Sequence, residues 1–248
     1  MNLAAIAGNY AAVQDRIEQA ARNAGRNPQE ITLVAVTKTW PAEVVLAAYE
    51  VGMRHFGENR PEEMAAKRQA VESVLGANSG IVWHGIGTTQ SRKTELVAES
   101  ADVFHALDRL KIARRLSVQL SELGRELPTL LEVNITGEAS KAGFDCTHWE
   151  TDPAQQDALL AAIAEIRQLP GLSLCGLMTM APWDAPPADL HATFARARRL
   201  AQWLTAHALQ TDWRILSMGM TDDFEIAIAE GATHVRVGRA IFGERVRR

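Results

Sequence analysis

The chain is short of several things at once. Of 248 residues only two are cysteine and two are tyrosine, and aromatic residues make up 6%. Cys146 and Cys175 have no metal-ligand spacing, which implies a free-thiol protein of the cytoplasm and no metal site. No apolar stretch approaches the roughly 20 residues needed to span a bilayer. Met1-Asn2-Leu3 leads into Ala-rich sequence carrying Asp15, Arg16 and Glu18, a helix pattern and not a signal peptide. Neither sign of charge dominates: 26 basic against 30 acidic side chains give a net charge of −4, so no general attraction to nucleic acid or membrane is expected. His105, His148, His191, His207 and His234 are scattered without metal spacing. Gly85-Ile86-Gly87 lacks the rest of a dinucleotide fingerprint. Trp40, Trp149, Trp183, Trp203 and Trp213 are too dispersed for a base-stacking platform. No low-complexity segment or Gly/Ser-rich linker interrupts the chain. It reads as one domain over 1–248, with 1–27 as a leading helix.

What is present is a regular alternation. With 47% apolar residues the chain can fill a substantial core. Eight short β-type runs, at 31–37, 54–57, 81–86, 103–107, 129–135, 172–178, 213–217 and 234–237, alternate with helical stretches such as 61–75, 110–123 and 188–208. Strands separated by helices of this length imply right-handed βαβ units and a parallel sheet. Eight units in this length suit a (β/α)₈ TIM-type barrel; a doubly wound open sheet is the alternative that pattern alone leaves open. Little chain follows the eighth strand, too little for a full eighth helix. The segment 3–23 has Ile6, Val13, Ile17 and Ala20 at helical spacing, and it is expected to lie on the barrel wall over part of that gap. The basic tail Arg245-Val246-Arg247-Arg248 reads as a solvated terminus.

The chemistry sits where strands end, since the C-terminal ends of barrel strands face the active site. Those positions read Lys38, Asn59, His84, Asn134, Met178, Ser217-Met218-Gly219 and Arg236-Val237-Gly238. Lys38 closes the apolar run Ile31-Thr32-Leu33-Val34-Ala35-Val36-Thr37. An ammonium at the mouth of a buried strand is costly, so its pKa should fall, and a neutral amine forms Schiff bases. Ser217 to Glu225 reads as a strand end, a glycine turn and a helix start, with Asp222 as cap and Glu225 at the capping-box position. Such a start suits a phosphate, and the turn at Gly238 should lie beside it. A Schiff-base lysine near a phosphate pocket leaves two ligands open: a phosphorylated sugar, as in a lysine aldolase, or pyridoxal 5′-phosphate (PLP).

The motifs themselves go further. Val34-Ala35-Val36-Thr37-Lys38 and His55-Phe56-Gly57-Glu58-Asn59 resemble the opening of the pyridoxal-phosphate homeostasis proteins (YggS/PROSC-like). The resemblance continues through Trp83-His84-Gly85-Ile86-Gly87 with Gln90 and Lys93, Val133-Asn134-Ile135 with Lys141-Ala142-Gly143-Phe144, and Gly176-Leu177-Met178-Thr179-Met180. It ends with Leu216-Ser217-Met218-Gly219-Met220 and Val235-Arg236-Val237-Gly238 with Ala240-Ile241-Phe242-Gly243. It covers about 31–244, with the motifs in order at every strand end.

The resemblance implies the N-terminal barrel of alanine racemase (the fold type III PLP kind), without its β-rich second domain. It implies PLP held as an internal aldimine on Lys38, with Asn59 beside the ring; His84 and Met178, as residues at strand ends, are expected to complete the cofactor-binding set. It assigns the phosphate to Ser217 and Gly219 with Gly238, and the pyridine nitrogen to Arg236. The implied function is storage, buffering or delivery of the cofactor by a monomer, with apo PLP-dependent enzymes as possible recipients. Three positions depart from the family pattern. Gly85 replaces an aromatic residue, Arg92 an asparagine, and Arg239 a small hydroxyl residue. Arg239 either donates a charge-assisted hydrogen bond to the phosphate or points outward. A guanidinium opposite the ring nitrogen is a donor only and weakens the electron sink. Tyr10 and Tyr49 lie away from strand ends, so the usual second base for racemisation is missing, and His84 reads more readily as a packing residue. A non-catalytic carrier is therefore favoured over a weak amino-acid racemase or lyase, and over a Schiff-base aldolase on a sugar phosphate.

Overall fold

A computed structural model describes residues 2–208 and 211–244; the basic tail lies outside the described residues. The alternation resolves into β1 (Thr32–Val36), β2 (His55–Glu58), β3 (Val82–Gly85), β4 (Val103–Leu107), β5 (Leu127–Asn134), β6 (Phe144–Asp145), β7 (Leu172–Met178), β8 (Ile215–Ser217) and β9 (His234–Val237). All ladders are parallel, and β1-β2-β3-β4-β5-β7-β8-β9 closes through the β9–β1 and β4–β5 pairings. Closure excludes the open doubly wound sheet. Each of the eight expected runs supplies one barrel strand, shifted by no more than two residues at either end. The two-residue β6 was not expected; it pairs with Val133 and Asn134 at the end of β5. Asn134 organises that loop, accepting from the Gly137 amide at 3.0 Å and donating to the Glu138 carbonyl at 3.0 Å.

The wall consists of α2 (Ala42–Glu50), α3 (Pro61–Leu75), α4 (Thr94–Ser100), α5 (Leu110–Leu123), α6 (Pro153–Ile166) and α7 (Pro187–His207), followed by the short α8 (Phe224–Ala229) and α9 (Arg239–Phe242). Proline opens α3, α6 and α7, where its missing N–H costs nothing. In α5, Ile112, Ala113, Leu116 and Leu120 form the buried stripe while Lys111, Arg114 and Arg115 face water. The leading helix α1 (Leu3–Asn23) buries Ile6, Val13, Ile17 and Ala21 and packs on α8, α9 and α2. Asn9 donates to the Ile241 carbonyl at 2.9 Å, so α1 covers the place where the four-residue α9 leaves the wall thin.

Strand parity decides what the barrel encloses, because alternate side chains face opposite ways. Phe56, Trp83 and Phe104 point outward under the helices and are fully buried. Their neighbours His55, His84 and His105 therefore point into the lumen. Parallel register carries the same parity around the ring: Gly57 pairs with His84, Val34 with Arg236 and Ser217 with His234. The interior is thus partly polar, unlike the usual stacked aliphatic filling.

Candidate functional site

Lys38 lies just past β1, partly buried, in a tight turn closed by the Trp40 amide on the Thr37 carbonyl at 3.0 Å. Thr39, its neighbour, is left-handed at φ 69, a region that a β-branched residue enters only under constraint. The constraint comes from β2 and α3. Thr37 Oγ1 donates to Glu58 Oε1 at 2.6 Å, Lys67 Nζ donates to the Thr37 carbonyl at 2.7 Å and to Glu58 Oε1 at 2.6 Å, and the Thr39 amide donates to Glu63 Oε2 at 3.0 Å. Burial pushes the Glu58 carboxyl upward while Lys67 opposes the shift. Asn59 follows directly, and its Oδ1 is buried without a hydrogen-bond partner among the described residues.

Of the two glycine turns, the one at Gly238 adjoins this strand end and the one at Gly219 lies one strand further round the barrel. Gly219 has φ 91 and packs against the start of α8: a Cβ there would lie 2.9 Å from the Phe224 Cα and 2.6 Å from the Ala227 Cβ. Its carbonyl accepts from the Arg236 amide at 3.0 Å, which ties the loop to β9. Gly238 ends β9 against β1, where a Cβ would stand 3.1 Å from the Val36 carbonyl oxygen. The expected capping box does not form. Asp223, not Asp222, holds the N-cap position of α8, and its carboxylate turns back to accept from the Met220 amide at 2.5 Å. Asp222 pairs with Arg239, and Glu225 pairs with Arg16 of α1. The turn at 220–223 folds tightly enough for the aspartate to find an upstream donor before a helical one. Arg239 also stands over the Trp183 ring, 5.4 Å from its centroid, so it bridges the loops after β7 and β8.

Sequence spacing missed the largest polar feature. His55 Nδ1 meets His84 Nε2 at 3.0 Å, His84 Nδ1 meets His105 Nε2 at 2.8 Å, and His105 Nδ1 meets Ser217 Oγ at 2.9 Å. Arg236 Nη1 donates to Ser217 Oγ at 2.6 Å and to the Ser217 carbonyl at 2.8 Å, while Nη2 donates to the Thr179 carbonyl at 3.1 Å. His105 on β4 and Ser217 on β8 are not neighbours in the sheet, so this file crosses the lumen. Arginine cannot accept, so the arrangement that satisfies every group runs one way. Ser217 gives its hydroxyl proton to His105, His105 donates to His84, and His84 donates to His55. All three rings are then neutral, in keeping with burial holding His84 and His105 well below the ordinary histidine pKa. Of the histidines that look scattered along the chain, His105 and His234 are gathered here by strand parity; the His234 ring lies 6.2 Å from the His84 ring and 6.1 Å from the His105 ring. No group of three or more His, Cys, Asp or Glu among the described residues is arranged to hold a metal.

Arg236 is buried, and burial lowers its pKa to about 10, with Glu132 and Asp223 opposing. Glu132, on the same inward face of β5, is pushed up to about 7 by burial and by Asp108. Met178 ends β7 fully buried, in register with Ser217 and Glu132. Gly85 is filled in by its neighbours: a Cβ there would meet the Phe104 ring at 3.1 Å and Met64 at 3.8 Å, so an aromatic side chain has no room. Arg92 is exposed and bonds Gln90 at 3.1 Å. Tyr10 accepts from Gln14 on α1, and Tyr49 donates to the Ser79 carbonyl at 3.2 Å, so neither reaches the Lys38 turn.

A closed parallel barrel with a constrained lysine turn after its first strand and glycine turns after its last two defines a class: the barrel of the alanine racemase N-terminal domain. The family model of that domain matches residues 2–246. The chain is 46% identical over 244 residues to the pyridoxal phosphate homeostasis protein of Pseudomonas aeruginosa, covering 98% of this chain and 97% of that one. It is 43% identical over 243 residues to the protein of the same name from Escherichia coli K12, covering 97% of each. Among solved structures, PipY of Synechococcus elongatus PCC7942 with PLP bound superposes with a TM-score of 0.79 at 35% identity, over 96% of this chain and all of that one. The chain belongs to the pyridoxal phosphate homeostasis protein family.

Proposed function

We propose that this chain binds pyridoxal 5′-phosphate and serves its homeostasis by storing, buffering or delivering it, with 1–248 acting as one cofactor-binding barrel and 1–27 as its leading helix. The residues present fit the group. An amine (Lys38), a buried amide oxygen lacking a partner among the described residues (Asn59), and two glycine turns that bring main chain close to one another converge at adjacent strand ends. When bound, the cofactor supplies an aldehyde that an amine captures and a ring that can act as an electron sink.

The chain's own groups divide the work. Lys38 offers the amine. Gly219 and Gly238 hold the phosphate through main-chain N–H groups, joined by the Ser217 loop. The Ser217 hydroxyl is engaged with Arg236 and His105 and its carbonyl accepts from Arg236, which supports main-chain N–H groups of the turn beyond it as the phosphate contacts. Arg236 donates toward the ring nitrogen and removes no proton. His84 acts through the file that supports Arg236, and Met178 packs the inner face. Binding rather than turnover is supported by the two tyrosines, both bonded away from the lysine turn. Delivery to apo PLP-dependent enzymes by a monomeric protein of the cytoplasm completes the reading; no helix among the described residues is long and apolar enough to cross a membrane.

The observation that carries this is the Lys38 turn, gripped on both sides at a strand end next to the Gly238 turn. The test is an absorbance spectrum of freshly purified protein before and after borohydride, followed by peptide mapping. Yellow protein that bleaches with the label on Lys38, and colourless Lys38→Ala protein, are expected. Yellow Lys38→Ala protein would overturn the reading.

A further inference from the structure

Lys67 bonds the main chain beside Lys38, and it is a costly residue to place in the barrel wall. It sits inside α3 with 9% of its side chain exposed, next to a Glu58 side chain that is fully buried. A buried ion pair is a poor way to fasten a helix to a sheet, because apolar residues of similar volume usually do it as well or better. Its placement therefore asks for another reason.

The reason lies in what the pair touches. Lys67 Nζ donates to the carbonyl of Thr37 at 2.7 Å and to Glu58 Oε1 at 2.6 Å; that same oxygen takes the Thr37 hydroxyl at 2.6 Å. Glu63, one turn earlier on α3, accepts from the Thr39 amide at 3.0 Å and lies 3.8 Å from Lys67 Nζ. Thr37 and Thr39 are the residues on either side of Lys38. Three charged side chains from two elements thus converge on the two peptide neighbours of one lysine, and one of those neighbours is held left-handed. Thr37 does not need Lys67 to satisfy its carbonyl, which already closes the turn with the Trp40 amide. Glu58 Oε2 takes no hydrogen bond among the described residues, so Lys67 and Thr37 alone set where that carboxylate lies.

The geometry points to Lys67, acting with Glu58 and Glu63, as the positioning residue for Lys38: it clamps the turn so that the amine is presented to the aldehyde in a reactive direction. This rests on the reading of Lys38 as the cofactor-holding amine. Lys67 touches neither cofactor nor reacting atoms and works only through the main chain of Thr37. A reacting group misplaced by about 1 Å loses on the order of 100-fold in rate, so loosening the clamp acts first on the speed of capture.

The experiment uses full-length protein stripped of cofactor and mixed rapidly with pyridoxal 5′-phosphate, following the visible band. Rates are normalised to the borohydride-trappable, folded fraction and measured across pH. Lys67→Met is expected to slow capture about tenfold or more and to displace the pH profile of the band. Lys67→Arg, which keeps the charge near Glu58, should recover part of the rate. Glu63→Ala changes a side chain that is 23% exposed and serves as the second variant, with a smaller slowing expected; it decides the matter if Lys67→Met fails to fold. Capture within twofold of the parent in the folded variants, with an unchanged pH profile, would overturn the positioning role. Lys38→Ala separates the two claims: a trappable band surviving there defeats the cofactor reading itself, whereas colourless Lys38→Ala beside unimpaired Lys67→Met defeats only the clamp.

Discussion

At the scale of single residues, Gly219 is the constrained member of the two glycine turns. Its φ of 91 belongs to the region that L-residues avoid, and the space a methyl group would need is taken by the Phe224 backbone and the Ala227 side chain. The same glycine carries the carbonyl that fastens its loop to Arg236. A left-handed backbone costs a non-glycine residue about 1–2 kcal/mol, and overpacking adds about 1–3 kcal/mol. Gly219→Ala is therefore expected to destabilise the protein by about 2–5 kcal/mol and to weaken cofactor retention. Urea unfolding checks the first effect and spectrophotometric titration with pyridoxal 5′-phosphate the second. A variant as stable as the parent would show that the loop relaxes without strain. Gly238 is less constrained, since its nearest neighbour is a carbonyl oxygen at 3.1 Å and its φ is not in the left-handed region.

At the scale of elements, α1 is the piece whose attachment rests on few, identifiable contacts. It reaches the barrel through its apolar stripe, through Asn9 bonded to the Ile241 carbonyl of α9, through Arg16 paired with Glu225 of α8, and through the segment that follows it. There Arg26 donates from Nη1 to the carbonyls of Ile228 and Ala232 at 2.8 and 2.7 Å, satisfying backbone groups at the end of α8. Hydrogen bonds from a charged donor are worth about 1.5–3 kcal/mol net. Arg26→Ala is expected to cost about 2 kcal/mol and to lower the unfolding midpoint by several degrees, at about 2–4 °C per kcal/mol for a chain of this size. The loss should appear as early hydrogen exchange in 3–23 and 224–232 while the β2–β4 region stays protected. Uniform loss of protection across the barrel would contradict this local account.

For the whole molecule, the polar lumen sets the response to pH. His234 is lowered to about 4, burial being the main cause, with repulsion by His55 in its protonated form and by the Arg236 guanidinium secondary, and His84 and His105 lie well below their ordinary value. An unfolded histidine titrates near pH 6.5, so these rings take up protons more readily when unfolded. The His234 contribution is complete above about pH 6.5 and is lost as pH falls from there through about 4, and those of His84 and His105 are lost in the same direction. Glu132 works in the opposite sense: raised to about 7, it favours the folded state most at low pH, and that contribution fades as pH rises through 7. Glu58, Asp108 and Asp223, also raised by burial, side with Glu132. Opposed contributions conceal one another in the parent, so the histidine share is read as a difference. Between about pH 7.5 and 4.5, the unfolding free energy of His234→Leu should change by on the order of 3 kcal/mol less in the acid-destabilising direction than that of the parent. Urea titrations at both pH values measure it, and parallel behaviour of the two proteins would mean that His234 is not held neutral.

Much of this was readable along the chain, and for a local reason. Strand and helix periodicity, the proline at the head of α3, α6 and α7, and the glycine turns are properties of a few consecutive residues, so the eight barrel strands, α1 and the run ending at Lys38 could be placed without any tertiary contact. The family resemblance is likewise carried by short motifs at strand ends. What lay outside reach was whatever depends on two distant segments meeting. The short β6 exists only because residues 144–145 fold back onto β5. Asp222 was expected to cap α8, but Arg239 claims it, and which aspartate wins depends on where the β9 turn ends. His55, His84, His105 and Ser217 are 21 or more residues apart and carry no common spacing; only register and closure turn them into one file. The partners of Lys67 likewise exist only because α3 lies against the ends of β1 and β2. Sequence by itself determined the elements, their order and the amine, because those are written in local stereochemistry. The closed ring decided which polar groups share the low-dielectric interior, because burial, and the partners that make burial tolerable, exist only once the strands have met.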